Sequence, residues 1–404
     1  MKVQDRLIEY CKINTISDPT SKTVPSSECQ KDLARLLVKQ MKELNILDAH
    51  MDEFGVVYGT IASNIEKKTD VIGLIAHMDT APDFSGENVK PRIIENYDGK
   101  DIELNPEVIL KVSEFSNMTR YIGKDLIVTD GNTLLGADDK AGIAEIMTLA
   151  ETLYEHPEIP HGTIKIAFTP DEEIGEGATH FDVKKFGADY AFTLDGGAPE
   201  EYCIETFNAA GAVVKTLGNS IHPGSAKNVM INAINVAMDF HHCLPCFMRP
   251  EYTEGFEGFN HITDFHGSTE EATMEYIIRN HDAKIFNEQI EYFRSVEKLI
   301  NQKYGKKVVE VTITPSYRNM KEVLIHQPKI IELMKEAISA VGLNPVSVSA
   351  RGGTDGSALT FMGLPCPNLG TGGANCHGRY EVACIQEMET MVQILLKMIE
   401  ISVK

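Results

Sequence analysis

The chain has 404 residues and a formal net charge of −21, and this length exceeds what one ordinary hydrophobic core supports, so two domains are expected. Hydrophobic residues make up 43 % and charged residues 24 % of the sequence, the balance of a folded globular protein, which excludes a disordered or fibrous chain. The acidity excludes a nucleic-acid-binding protein, because phosphate contacts require a basic face.

The sequence also carries no pattern typical of export or membrane insertion. Residues 1–6 lead into an amphipathic helix pattern rather than the apolar core of a signal peptide. No run of about 20 apolar residues occurs, so no membrane span is expected. The eight cysteines are scattered along the chain, which is typical of a reduced protein rather than a disulfide framework. We therefore expect a cytoplasmic protein with no membrane and no nucleic-acid partner.

The first half of the chain alternates strand and helix patterns. Residues 71–76 form a continuous apolar run, as expected of a strand covered on both faces. Residues 142–153 place apolar side chains at helical spacing, and residues 163–168 and 190–194 have the pattern of two further strands. This alternation predicts an α/β domain with a mixed, mostly parallel sheet flanked by helices.

The middle of the chain has a different order of elements. Pro223 suits the first turn of a helix, and Gly211 is a position where a strand can bend. The predicted elements are a strand at 203–217, a helix at 223–242, strands at 257–265 and 272–279, a helix at 283–303 and a strand at 307–314. The order β-α-β-β-α-β is that of a ferredoxin-like α+β domain.

The α/β pattern returns after Pro315, with a helix at 328–341, a strand at 346–350 and a closing helix near 384–402. The middle domain is therefore predicted to be an insertion into a discontinuous first domain. The predicted division gives residues 1–205 and 320–404 to the first domain and residues 206–319 to the inserted one.

Side chains that can bind metal ions follow the predicted strands or lie in turns. In an open α/β sheet, ligands bind beyond the carboxyl ends of the strands, so these segments are expected to converge there. Imidazole and carboxylate groups suit zinc, manganese or cobalt, and a carboxylate can bridge two ions roughly 3.5–4 Å apart. The residues concerned are His77, Asp79, Asp138, Asp139, Glu172, Glu173, Asp195 and His377.

Each of these residues alone has an ordinary structural explanation. An acidic residue at a helix N-terminus, such as Asp138, usually caps the helix, and adjacent glutamates are commonly a solvated face. The coincidence of several such groups favours a metal site. A two-metal hydrolase also needs one carboxylate that stays off the metals and takes a proton from water, and the pair Glu172 and Glu173 can supply both kinds of group.

Three further residues have two readings each. His222, at the start of a predicted helix, is either an ordinary cap or a donor that reaches a metal cleft to stabilise an oxyanion. Arg351, which two glycines follow, either faces solvent or grips a carboxylate with two hydrogen bonds. Arg279, at the end of a predicted strand, either lies on the surface or faces the cleft.

Seven short segments together carry a more specific pattern than any single motif. They are Ala76–Thr80, Leu135–Gly142, Thr169–Gly175, Leu194–Gly197, His222–Lys227, Arg351–Gly356 and Asn375–Gly378. They run through almost the whole chain, and in this order they resemble the zinc-dependent aminoacylase, carboxypeptidase and DapE-like peptidase family. The resemblance implies a zinc-peptidase catalytic domain with an inserted ferredoxin-like lid domain.

The resemblance also implies a ligand set for two zinc ions per subunit, with manganese or cobalt as substitutes. His77, Asp138 and Asp195 would hold one ion. Asp138, Glu173 and His377 would hold the other, so that Asp138 bridges the two. Asp138 rather than the aspartate that follows it is assigned this role, because it lies two residues before a lysine, as the bridging aspartate does in the family.

Further roles implied by the resemblance concern catalysis and substrate binding. Glu172 would be the general base that activates a bridging water and later passes the proton to the leaving amine. Asp79 would orient a metal-binding histidine by accepting its second ring proton. His222 would polarise the scissile carbonyl, either in its own subunit or in a partner subunit, and Arg279 and Arg351 would bind a substrate carboxylate.

The function implied is that of a zinc-dependent aminopeptidase that removes the N-terminal residue from tripeptides. One alternative keeps the same metal chemistry in a dipeptidase, a carboxypeptidase or an N-acyl amino acid deacylase. Another is a metal-dependent peptide-binding protein without catalysis, which the spare base Glu172 argues against. The expected partner is a short peptide substrate, and the free sheet edges of the inserted domain could pair in a homodimer.

Overall fold

The computed structural model describes residues 1–404, and the chain divides into two compact units. The segment 349–353, which the predicted division places in the first domain, belongs to the inserted unit, where the Arg351 guanidinium donates hydrogen bonds to the carbonyl oxygens of Gly255 and Glu257. The first unit comprises Met1–Ile204, Glu322–Val348 and Thr354–Lys404, and the inserted unit comprises Glu205–Lys321 and Ser349–Gly353.

Strands and helices alternate along most of the chain. The strands are β1 (Leu47–Met51), β2 (Val57–Ile61), β3 (Ile72–His77), β4 (Arg92–Ile94), β5 (Ile102–Asn105), β6 (Val108–Leu110), β7 (Leu126–Val128), β8 (Ile164–Thr169), β9 (Tyr190–Gly196), β10 (Glu201–Glu205), β11 (Asn208–Leu217), β12 (Phe259–Gly267), β13 (Glu271–Asn280), β14 (Val309–Tyr317), β15 (Val346–Ser349), β16 (Asn368–Gly370), β17 (Gly373–Ala374) and β18 (Val382–Cys384). The helices are α1 (Val3–Cys11), α2 (Gln30–Glu43), α3 (Ala137–Glu155), α4 (Val183–Phe186), α5 (Ala233–Cys243), α6 (Ala283–Tyr304), α7 (Lys321–Leu324), α8 (Pro328–Ala340), α9 (Asp355–Phe361) and α10 (Ile385–Ser402).

The first unit is built on an eight-stranded sheet in the order β1-β2-β8-β3-β9-β16-β10-β15. Strand β3 runs parallel to β8 and β9, and β9 runs parallel to β16. Strands β1, β2 and β10 lie to either side of this parallel centre in antiparallel pairs. The predicted mixed sheet flanked by helices is confirmed, and its parallel part places several strand ends side by side.

The central strand β3 is covered on both faces. All of its residues are buried. Ile72, Leu74 and Ala76 point into the core that includes side chains of α1, α3 and α10, whereas Ile75 packs on the opposite face with Phe186. This alternation explains the continuous apolar run in the sequence, because a strand with helices on both faces exposes neither set of side chains to water.

A four-stranded sheet in the order β17-β18-β7-β4 and the hairpin β5-β6 complete the strands of the first unit. These strands are only two to four residues long, too short for an alternating pattern to emerge, so the sequence did not predict them. Strands β17 and β18 flank the turn at 375–381, which contains His377.

The inserted unit is a four-stranded antiparallel sheet in the order β12-β13-β11-β14. Its chain order, β11-α5-β12-β13-α6-β14, confirms the ferredoxin-like pattern. Its core contains Val214, Met274, Phe240 of α5 and Phe293 of α6. Strands β12 and β14 are the edges of this sheet, and pairing through them in a homodimer stays a prediction.

The helix predicted at 223–242 is wrong in its first half. Pro223–Ser225 form a single 3-10 turn, and the α-helix begins only at Ala233. The cause is the side chain of Asn232, which accepts the backbone N–H of Ile234 at 2.9 Å and so caps the helix. Asn232 lies within a pattern of apolar residues at helical spacing, so the sequence pattern predicted a helix that began too early.

The strand predicted at 203–217 is wrong as a single element. It is two strands, β10 and β11, and the break lies at Thr206, whose backbone N–H donates to the Asn319 side chain at 3.1 Å rather than to a neighbouring strand. The expected bend at Gly211 is absent, because Gly211 is paired with Ile277 on one side and with β14 on the other in regular register.

None of the ten helices combines the length and the apolar character that crossing a bilayer requires.

Candidate metal centre

Three neighbouring strands of the first unit end in side chains that can bind metal ions. His77 is the last residue of β3, and Asp195 lies at the end of β9. Glu172 and Glu173 lie in a 3-10 turn that follows β8. Because β3 runs parallel to its neighbours β8 and β9, the carboxyl ends of the three strands lie together. Ligands bind beyond this edge in open α/β sheets.

Asp138 and His377 reach the same place from turns with unusual backbone conformations. Gly136, just before α3, has a φ of 79°, which a residue without a Cβ adopts at no steric cost. Asp138 follows with φ −82° and ψ 103°, so its backbone is not yet helical. His377 has a φ of 65°, an uncommon conformation for a non-glycine residue that is often found at functional sites.

The carboxylate of Asp138 lies between two imidazoles. Its Oδ1 is 3.0 Å from Nε2 of His77, and its Oδ2 is 3.2 Å from Nε2 of His377. Nε2 of His377 also lies 3.1 Å from Oε2 of Glu173. Nε2 of His77 lies 3.8 Å from Oδ1 of Asp195. One carboxylate with an oxygen toward each histidine is the arrangement that a bridge between two cations needs.

These groups form overlapping clusters. One nitrogen or oxygen atom from each of His77, Glu172 and Asp195 lies within 4.8 Å of the others, and the same is true of His77, Asp138 and Glu173. The distances are short enough for a single ion to contact several of them at once. His77 belongs to both clusters, so Glu172 and Asp195 lie next to Asp138 and Glu173.

Asp79 supports this cluster from behind and is fully buried. Its Oδ1 accepts the backbone N–H of Glu172 at 2.9 Å, and its Oδ2 accepts that of Glu173 at 3.1 Å. Nδ1 of His77 lies 3.3 Å from Oδ1 of Asp79 and 3.1 Å from its backbone carbonyl oxygen. Asp79 thus fixes both the ring of His77 and the turn that carries the two glutamates.

Asp139 has a different environment from Asp138. It is buried, and its Oδ2 accepts the backbone N–H of His77 at 3.1 Å. Its carboxylate therefore supports the end of β3, whereas the carboxylate of Asp138 faces both imidazoles.

Asp171, for which no role was predicted from the sequence, holds the glutamate turn in place. Its φ is 59° and it is buried. Its carboxylate accepts the backbone N–H of Ser26 at 2.7 Å and a side-chain N–H of Gln30 at 2.7 Å. Two sequence signals pointed to it: it lies in the family segment Thr169–Gly175, and Asp tolerates a left-handed backbone better than most residues.

A second overlooked carboxylate is Asp355, which lies in one of the seven family segments. It is buried and accepts the hydroxyl of Thr169 at 2.7 Å. Burial raises its pKa to about 6. A Cβ added to Gly177 would lie 2.3 Å from Asp355 Oδ1, so the missing side chain of this glycine leaves room for the carboxylate in its present position.

The carboxylates of the cluster crowd negative charge into a buried space. Burial, and then the charge of Asp195, raise the pKa of Glu172 well above its ordinary value. Burial followed by the charge of Asp139 does the same for Asp195, and burial raises the pKa of Glu173. Such a site favours bound cations, because positive charge relieves both the desolvation and the mutual repulsion.

The two imidazoles respond in the opposite sense. Hydrogen bonds to Asp138 and Glu173 raise the pKa of His377 to about 11. Burial acts to lower the pKa of His77, but its hydrogen bonds to Asp138 and Asp79 raise it well above the ordinary value. Burial acts to raise the pKa of Asp138, but the hydrogen bonds from His377 and His77 hold it below its ordinary range. In the metal-free protein, the protonated histidines therefore supply the positive charge that bound cations would otherwise supply to these carboxylates.

The donor set fits a pair of divalent cations. It consists of imidazole nitrogens and carboxylate oxygens, which suit zinc, manganese and cobalt. Oε1 of Glu173 is buried and has no hydrogen-bond partner, which is costly unless another group, such as a cation, contacts it. No lysine or arginine forms an ion pair with Asp138, Glu172, Glu173 or Asp195 in the structure, which describes every residue of the chain.

The remaining predicted residues belong to the inserted unit. His222 is exposed, and its Nδ1 accepts the backbone N–H of Gly224 at 3.1 Å, which leaves Nε2–H as the free donor of the neutral ring. Arg279 lies 5.1 Å from the ring centre of Tyr317. Arg351 donates to three backbone carbonyl oxygens and lies 5.2 Å from the ring centre of Phe207. These contacts do not test the predicted roles.

A separate cleft of about 450 Å³ in the first unit contains no such cluster. It is lined by residues of β1 and β2 together with Lys165, Lys185 and Phe186. The Lys165 ammonium donates to the hydroxyl of Thr60 at 3.0 Å. Its volume alone does not make this cleft a reaction site, because its lining offers one carboxylate and one imidazole, Asp48 and His50, whereas two imidazoles and several carboxylates converge at the ends of β3, β8 and β9.

Comparison with known proteins places these observations in a family. Residues 129–401 match the model of peptidase family M20/M25/M40. Peptidase T of Caldanaerobacter subterraneus subsp. tengcongensis is 50 % identical over 402 residues, which cover 99 % of this chain and 98 % of that protein. The match confirms the resemblance seen in the seven sequence segments.

Solved structures share the fold at lower sequence identity. The aminopeptidase PepT from Bacillus cereus superposes with a TM-score of 0.79 at 22 % identity, covering 100 % of this chain and 98 % of that chain. The YXEP protein of Bacillus subtilis, a dinuclear metal binding peptidase, superposes with a TM-score of 0.67 at 15 % identity, covering 99 % and 97 %. At these identities the likeness shows the fold alone.

Proposed function

Because the chain belongs to peptidase family M20/M25/M40, we propose that it is a metal-dependent aminopeptidase that removes the N-terminal residue from tripeptides. The observation that carries the chemical part is the position of Asp138, with one carboxylate oxygen toward each of two imidazoles. The substrate rests on the likeness to Peptidase T at 50 % identity over nearly the whole of both chains.

The residues that would hold two zinc ions fall into two sets. His77, Asp138 and Asp195 would hold one ion, and Asp138, Glu173 and His377 the other, with manganese or cobalt as substitutes. When bound, such ions polarise a carbonyl oxygen and lower the pKa of water. The unpartnered buried Oε1 of Glu173 supports this assignment, as does the surplus of carboxylates over cationic side chains.

Glu172 is proposed as the general base. The base role rests on the family resemblance of the segment Thr169–Gly175. The position of the carboxylate beside the ligands supports it, since Oε2 of Glu172 lies 4.0 Å and Oδ1 of Asp195 lies 3.8 Å from Nε2 of His77. In this role it takes a proton from the attacking water and returns it to the nitrogen of the leaving amine.

Asp79 keeps the base and one ligand in register. It binds the backbone of Glu172 and faces the ring of His77, so a shift of either group requires the other to move. His222 as an oxyanion donor and Arg279 and Arg351 as substrate-carboxylate ligands stay predictions. A cytoplasmic location is part of the proposal and is supported by the eight free cysteines.

Hydrolysis of a matched set of compounds tests the proposed activity. The set is a dipeptide, a tripeptide, a tetrapeptide, an N-acetylated tripeptide and an N-acyl amino acid, each assayed with zinc and with a chelator. We expect only the tripeptide with a free amine to be cut, with release of its first residue and loss of activity in chelator. Cleavage of the acylated compounds instead would assign the site to a deacylase, and chelator-resistant cleavage would contradict the metal mechanism.

A further inference from the structure

Glu381 is a buried carboxylate that binds the backbone of the Asp138 turn. Only 1 % of the residue is exposed. Its Oε2 accepts the N–H groups of Leu135 and Gly136, each at 2.8 Å, and its Oε1 accepts that of Asp138 at 3.0 Å. No role was predicted for Glu381 from the sequence, and its carboxylate forms no hydrogen bond with either imidazole of the cluster.

The three hydrogen bonds are the reason that the carboxylate can be buried. A buried carboxylate is costly unless it is paired or well hydrogen-bonded. No lysine or arginine forms an ion pair with Glu381 in a structure that describes the whole chain. Each of the three bonds joins a backbone N–H group to an oxygen of this one side chain, so together they hold the backbone at 135–138.

The backbone at 135–138 needs such a partner. Gly136 has a left-handed φ and Asp138 is not helical, so the N–H groups here have no helical acceptor. Buried N–H groups without a partner are rare because each costs free energy. Glu381 supplies the acceptor, and the turn that aims the Asp138 side chain depends on it.

Glu381 also lies four positions after His377, at the end of the turn at 375–381. The backbone N–H of Glu381 donates to the carbonyl of Gly378 at 3.2 Å, which closes that turn. The same residue therefore belongs to the His377 turn through its backbone and holds the Asp138 turn through its side chain. Oδ2 of Asp138 and Nε2 of His377 face each other at 3.2 Å across this link.

We propose that Glu381 is a positioning residue that fixes the distance between Asp138 and His377 and so sets the affinity of the centre for its cations. This inference rests on the proposed function, in which both residues bind metal. Loss of an outer partner of metal ligands costs roughly 10–100-fold in metal affinity or activity. An effect of this size is expected when Glu381 can no longer accept all three N–H groups.

The variant Glu381→Gln isolates the acceptor role, because it keeps the size of the side chain. Its amide nitrogen cannot accept a hydrogen bond, so at least one of the three N–H groups loses its partner. The control is Asp52→Asn, which removes a carboxylate charge but keeps an oxygen that can accept both of its hydrogen bonds. Oδ1 of Asp52 accepts the N–H groups of Phe54 and Val56, both at 2.9 Å, in the turn between β1 and β2. That turn carries no candidate ligand.

The readout is the zinc dissociation constant of each purified full-length protein, measured by competition with a chromophoric chelator. Circular dichroism and the melting temperature of the metal-free protein are recorded alongside. We expect the dissociation constant of Glu381→Gln to rise roughly 10–100-fold, with a lower kcat and a smaller change in KM. The Asp52→Asn control should bind zinc as the parent does.

A dissociation constant and a kcat equal to those of the parent, together with a lower melting temperature, would show that Glu381 is only structural and would overturn the inference. If Glu381→Gln does not fold, Glu381→Asp replaces it, since it keeps the charge but shortens the reach. Weaker zinc binding by that variant supports the inference and unchanged binding overturns it. A parent protein that binds no zinc would instead contradict the proposed function itself.

Discussion

Oδ1 of Asp79 accepts the backbone N–H of Glu172 at 2.9 Å, and the same carboxylate faces Nδ1 of His77. Asp79, two residues after the end of β3, therefore holds the backbone of the turn that follows the neighbouring strand β8. The proposed base and a proposed metal ligand share one support, which preorganises the site before any substrate binds.

Replacement of Asp79 should consequently disturb both groups at once. In Asp79→Asn the amide nitrogen cannot accept a hydrogen bond, so the N–H of Glu172 or of Glu173 loses its partner. We expect activity or zinc affinity to fall roughly 10–100-fold, measured as kcat on a tripeptide and as the zinc dissociation constant. Asp182→Asn, which alters a carboxylate that caps α4, is the control. Equal loss in both variants would assign the effect to general destabilisation.

Removal of the proposed base should separate turnover from metal binding. Glu172→Gln keeps the size of the side chain but cannot take a proton from water. We expect kcat to fall by roughly 10²–10⁴-fold, while zinc content stays at the parent level. The control is Glu176→Gln, an exposed glutamate in the same loop whose carboxylate binds the Thr179 hydroxyl. Unchanged turnover in Glu172→Gln would remove the residue from the mechanism.

Zinc binding should release protons. The pKa of His377 is raised to about 11 in the metal-free protein, and that of His77 is raised well above its ordinary value. Both rings are therefore protonated near neutral pH and must lose their protons to bind a cation. Protons compete with zinc, so the apparent affinity falls as pH falls.

Calorimetric titration in two buffers with different ionisation enthalpies measures this release. The observed heat should differ between the buffers by an amount that corresponds to more than one proton per chain. Heats that are the same in both buffers would show that the histidines are already neutral or do not bind the metal.

Substitution of Gly177 tests the packing behind the site. In Gly177→Ala the new Cβ would lie 2.3 Å from Oδ1 of Asp355, which the Thr169 hydroxyl holds in place. Overpacking of this kind costs about 1–3 kcal/mol, so the urea midpoint should fall. In Gly211→Ala the nearest atom would be 4.0 Å away, and that variant should unfold at the parent midpoint. A fall of equal size in both variants would contradict the steric explanation.

The parts of the fold that the sequence predicted are those with a local signal. The apolar run at 71–76 identified β3, because a strand covered on both faces leaves no polar position. His77, Asp138 and Glu173 could be grouped because each follows a strand or opens a turn at the same end of the sheet. The family segments then supplied roles that spacing alone could not.

The parts that the sequence missed depend on contacts between distant residues. Glu381 lies 243 positions from Asp138 along the chain. Nothing in the residues next to Glu381 in the sequence indicates that its side chain will accept N–H groups from a distant segment. Asp171 meets Ser26 across 145 positions in the same way. The early start assigned to α5 has a local cause, since the cap Asn232 lies within an otherwise helical pattern.

The most direct test of the central claim, that two cations share Asp138, is the metal content of variants measured by elemental mass spectrometry after dialysis against buffered zinc. The account predicts two zinc ions per chain in the parent, one in His377→Asn, and loss of both in Asp138→Asn, provided that circular dichroism shows each variant to be folded. Retention of two ions by Asp138→Asn, or fewer than two in the parent, would contradict it.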